Sequence, residues 1–76
     1  MQDTYYMALL VVQYMHQRYQ PDECLKMFEY FMQMSVASNI DQQTSDLCRT
    51  LLNAAHDNKY MSEGEWNGLV LAYATD

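Results

Sequence analysis

The stretch YYMALLVVQYM, residues 5–15, constrains this chain more than any other. Only Gln13 in it is polar. Successive residues on a helix turn by about 100°. That wrapping puts Tyr5, Ala8, Leu9, Val12, Met15 and Tyr19 on one stripe. Tyr6, Met7, Leu10 and Tyr14 form a second stripe on roughly the opposite side. A surface helix needs one apolar stripe, whereas a helix apolar nearly all round is buried. The first helix is therefore either sandwiched inside the domain or covered on one side by another molecule. Tyr, Val and Leu also favour strands. The apolar pattern continues to Tyr19, however, which is longer than an ordinary strand.

The next elements follow from local chemistry. Asp3 or Thr4 can cap the first helix, expected over residues 4–19. The residue before Pro21 is pushed out of the helical region, and Pro21 suits the first position of a second helix. That helix is expected over 21–35. Cys24, Leu25, Met27, Phe28, Tyr30, Phe31, Met32 and Met34 make its apolar arc wider than half the circumference. The polar VASNID segment separates it from a third helix over 41–57, with Asn39 or Asp41 as cap. On that helix Thr44, Leu47, Cys48, Leu51, Leu52, Ala54 and Ala55 share a face, and Asn58 is expected to close it in a left-handed conformation. Ser62 and Glu65 form an S-x-x-E capping box, with Met61 and Trp66 placed for a hydrophobic staple. A fourth helix over 63–74 follows. The expected fold is all-α: one domain, 1–76, built as a bundle or orthogonal array of about four helices with short loops.

Composition narrows the function. The chain has 76 residues and a formal net charge of −6. Domains of this size are marginal alone and often lean on a partner, a metal or disulfides. Arg18, Lys26, Arg49 and Lys59 are the only cations besides histidine, and they are scattered, so direct binding of nucleic acid or of an anionic membrane is not expected. No apolar run is long enough to span a bilayer. The opening MQDT lacks a basic leader, so a cytoplasmic location with reduced, buried Cys24 and Cys48 is expected.

No chemistry-bearing motif emerges. Cys24, Cys48, His16 and His56 suit zinc by type but have no ligand spacing, so no metal or other cofactor is expected. Both cysteines fall at apolar helical positions, where packing accounts for them better than nucleophilic catalysis. Glu63 and Glu65 lie in a helix's first turn, where capping and the dipole explain them. The HDNKYMSEGEW segment lacks the alternating oxygen ligands of a calcium loop. The expectation is a protein that is not an enzyme.

The apolar excess of the first two helices points instead to contact. Met adapts to irregular partners and Tyr is enriched at interfaces. The candidate interface residues are Tyr6, Met7, Leu10, Tyr14, Met27, Tyr30 and Met34. The expected partner is another protein, a further copy of the chain, or both. Size, acidity and apolar excess suit a small chaperone or adaptor, or an inhibitor of the kind carried by phages and mobile elements. The alternative is an acidic decoy that mimics nucleic acid for a DNA- or RNA-binding protein.

Overall fold

The computed structural model describes residues 3–73. Four helices make up the fold, in the order α1 (Asp3–Arg18), α2 (Pro21–Val36), α3 (Gln42–Asp57) and α4 (Glu63–Tyr73). The all-α fold expected from the periodicity is present, and each helix end lies within one residue of its expected position, residue 74 falling outside the described span.

The centre of the fold is α3, the helix with the least apolar sequence. It packs against both α1 and α2, and α4 packs on α2. Small residues explain this. Ala54 and Ala55 have no exposed surface, and Ser45 and Cys48 are buried on the same helix. With no long side chain at these positions, neighbouring helices can pack closely against α3. Larger groups then fill the flanks: Val12 and Met15 from α1, Phe28 and Met32 from α2, Leu51 and Leu52 from α3, Leu69 from α4. The result is a slab of 32 × 30 × 18 Å. Its thinnest dimension corresponds to about two helix diameters, so the flanking helices keep an outer face in solvent.

One expected core position is corrected. Leu47 is exposed, and Ser45 takes the buried place on that part of α3. The buried hydroxyl is tolerated because it donates to the Ser35 carbonyl at 2.9 Å. Arg49 Nη2 donates to the same oxygen at 2.8 Å. The Ser35 hydroxyl in turn donates to the Met32 carbonyl at 2.8 Å. These bonds satisfy the free carbonyls that end α2.

The helix ends account for most of the remaining polar bonds. Asp41 caps α3, accepting from the Thr44 backbone N–H and hydroxyl, and these bonds hold its carboxyl below the usual range. The Gln20 backbone N–H donates to Glu23 at 2.9 Å at the start of α2. Neither Asp3 nor Thr4 stands at the cap of α1, because the helix already includes both; Asp3 instead places its charge in the first turn, where the dipole favours it. Asn58 is the C-cap residue that follows α3 but is not left-handed. Lys59, with φ 64°, takes that conformation. Tyr60 N–H bonds to the Ala55 carbonyl and Lys59 N–H to the His56 carbonyl, the paired bonds of a Schellman closure.

The expected capping box is present: Ser62 N–H donates to Glu65 Oε1 at 3.0 Å and Glu65 N–H to Ser62 Oγ at 3.1 Å. Met61 is buried and Trp66 packs against the core. Two stability outcomes follow. Ser62→Ala should cost about 1 kcal/mol in a urea titration. Lys59→Gly should instead raise stability, by up to about 1 kcal/mol, because glycine enters the left-handed region without the Cβ penalty. Unchanged urea midpoints in both variants would contradict these two assignments.

Candidate functional site

Helix α1 is amphipathic in an unusual sense, since both of its faces are apolar. The inner face is Ala8, Val12 and Met15, all buried, flanked by the half-buried Tyr5 and Leu9. The helix is not sandwiched. Its N-terminal end is tied to the end of α3 by Tyr5, whose hydroxyl donates to Asp57 at 3.1 Å and accepts from Asn58 at 3.3 Å. At the other end His16 meets Tyr60 edge-on, with ring centroids 5.0 Å apart. These contacts set the rotation of α1 about its own axis, and so decide which side chains turn outward.

The outward side chains are Tyr6, Met7, Leu10, Val11 and Tyr14, all exposed, from 60% for Tyr6 to 41% for Leu10. Met7, Leu10 and Tyr14 recur at spacings of three and four, the seam pattern by which one helix packs on another. The Arg18 guanidinium lies over the Tyr14 ring, 5.7 Å from its centroid, which orients both groups. No helix of the described chain covers this face.

Four of the seven candidate interface residues, Tyr6, Met7, Leu10 and Tyr14, therefore stand together on one helix. The three on α2 divide. Met27 packs against the core and Met34 is half-buried, because α2 turns this side inward beside Phe31. Tyr30 is exposed, its ring edge on Phe31. Val11 belongs to the exposed α1 face and fell in neither sequence stripe. Its position four residues after Met7 and three before Tyr14 is the signal that places it there.

The titratable and thiol groups are engaged elsewhere. The His56 ring stacks on Trp66, with centroids 4.2 Å apart and planes 7° apart, and its Nε2 lies 2.9 Å from Glu63. The Cys24 thiol donates to the Met15 carbonyl at 3.4 Å. Both cysteines are free and buried. Burial raises both thiols above their ordinary range, and the nearby Glu23 and Asp22 carboxylates add to the effect at Cys24. Among the described residues no group of three His, Cys, Asp or Glu side chains is arranged to hold a metal ion, and no helix is long and apolar enough to cross a membrane. The cavity beside His16, Cys24, Phe28 and Tyr60 measures about 150 Å³, and a wider, more open depression of about 470 Å³ lies beside Thr4, Thr44, Asp46 and Leu47.

No family model, no curated protein and no solved structure matches this chain.

The thiols give a testable consequence. In native protein Cys24 and Cys48 should react with a thiol reagent only as fast as the chain opens, since the thiolate is the reactive form and both are buried. A folded pKa raised above the unfolded one favours folding below the unfolded value. That contribution is lost as pH rises through the window between the two, so urea midpoints should fall at alkaline pH. Replacing both cysteines with serine should remove the alkaline loss. Rapid labelling of the folded chain at neutral pH would contradict the burial.

Proposed function

We propose that this chain is a non-catalytic protein-binding module whose contact surface is the outer face of α1. The observation that carries this reading is the run of five exposed apolar side chains, Tyr6, Met7, Leu10, Val11 and Tyr14, on a helix whose opposite face already serves the core. Contiguous apolar patches are uncommon on monomers unless something binds them. The composition is that of contact surfaces, with two tyrosines and an adaptable methionine. A chaperone, an adaptor and an inhibitor all use such a face, by covering an apolar segment of another protein.

The decoy alternative has less support. A nucleic-acid mimic needs carboxylates presented as a free array. Here Glu23, Asp41 and Glu65 accept bonds from backbone N–H groups at helix starts. Asp46 pairs with Arg49, Glu63 with His56, and Asp57 accepts from Tyr5. Their positions follow the helix ends and the packing between helices.

Leu10→Arg tests the reading. The side chain is already 41% exposed, so the variant should fold, with a melting temperature close to that of the parent. It should lose protein binding in a pull-down that the parent passes, and the parent's binding should persist at high salt, as an apolar contact does. Val12→Arg is the contrasting variant: Val12 is buried, and a charge there should destabilise by several kcal/mol. A folded Leu10→Arg protein that retains every bound species would remove this face from function.

A further inference from the structure

Building on the reading of the α1 face as a contact surface, we infer that its occupant is the same face of a second copy, with the two α1 helices antiparallel about a twofold axis between Leu10 and Val11.

The charges at the ends of the face carry this. Asp3 and Arg18 are both exposed. At about 100° per residue they fall within the same 80° arc as Met7, Leu10 and Tyr14, one at each end of the seam. No ion pair among the described residues engages either of them. The midpoint between positions 3 and 18 lies between Leu10 and Val11. A twofold axis there sets Asp3 opposite the second copy's Arg18, Met7 opposite its Tyr14 and Leu10 opposite its Val11, and each contact occurs twice. That is the self-complementarity that a twofold contact requires. A parallel arrangement would instead set Asp3 against Asp3 and Arg18 against Arg18.

Charge also selects the occupant. The chain carries −6 overall. In α1, however, Asp3 and Arg18 cancel, so two copies meet at the one helix where their net charges do not repel. A strongly basic or strongly acidic partner finds no matching field on this helix. Area agrees. Five side chains about half exposed offer roughly 500 Å² per copy, or about 1,000 Å² in total, the lower limit for a specific association. The Met7 thioether against the opposing Tyr14 ring adds a favourable sulfur–aromatic contact. The contact is therefore expected to be reversible and concentration-dependent.

Sedimentation equilibrium on the intact chain provides the test. The expected species has twice the 9.0 kDa chain mass and dissociates on dilution. Arg18→Glu and Asp3→Arg, each with unchanged circular dichroism, should each weaken association about tenfold. The double variant carrying both changes restores opposite charges across the axis and should return the affinity to near that of the parent. Association that ignores both single variants, or a double variant no stronger than the singles, would overturn the antiparallel arrangement. A parent chain that stays at one chain mass at about 500 µM would overturn the second copy as occupant. In that case, capture of a different protein that Leu10→Arg abolishes would leave the face as a contact surface, and no such capture would remove both readings.

Discussion

The close contact at Ala54 and Ala55 is the constraint on which the rest of the structure depends. Both residues are wholly excluded from solvent. A longer side chain at either would push α1 or α2 away from α3 and open voids around Val12 and Phe28, which such cores tolerate poorly. Small residues thus put the most polar helix at the centre, where intuition would place the most apolar one. The consequence is geometric. With α3 in the middle, α1 and α2 become flanks, and a flank has an outside. Helix α4 packs on α2 and gives that flank a neighbour, while the outer face of α1 stays in solvent.

The polar groups are distributed by the same logic. A four-helix chain has many helix ends, and each end leaves backbone groups without partners. Asp41, Ser62, Glu65 and Glu23 satisfy N–H groups at helix starts, and Ser45 and Arg49 satisfy a carbonyl where α2 ends. The acidity of the chain is to that extent a by-product of capping, because carboxylates are good acceptors and the helix dipole favours them at N-termini. This draws negative charge to the ends of α2, α3 and α4. On the α1 face it leaves only Asp3 and Arg18, which balance.

Most of the fold was legible in the sequence, for identifiable reasons. Pro21 acts on the residue just before it and the Ser62–Glu65 box across three residues, so local reading suffices for them. The two stripes of α1 were legible because helical periodicity is a property of one segment. The rotation of one helix against another was not. Leu47 and Ser45 are two residues apart, and both lie near the edge of the α3 face; the Ser35 carbonyl, ten residues from Ser45 in the chain, decides which is buried. Lys59 takes the left-handed conformation expected of Asn58, in a turn that brings the Tyr60 N–H to the Ala55 carbonyl and the Tyr60 ring to His16. Met27 joined the core because α2 is covered on more than one side. Each of these outcomes depends on a long-range contact that no local pattern contains.

The site itself was half legible, and the division is informative. Tyr6, Met7, Leu10 and Tyr14 are exposed together because they follow one period on one helix. The candidates on α2 did not join them as a set, because membership in a surface spanning two helices depends on packing. The narrower surface changes the argument about partners. A broad face over α1 and α2 would have suited a large, irregular client. A single seam on one helix, with opposite charges at its two ends, suits another helix of matching length and reversed direction. In a domain this small such a contact also bears on folding. The inner face of α1 belongs to the only core the described chain has, so anything that fixes α1 from outside also favours the packed state by mass action. Under the proposed contact, binding and stability are coupled through one helix: its inner stripe packs on the core, its outer stripe would hold the partner, and each would steady the other.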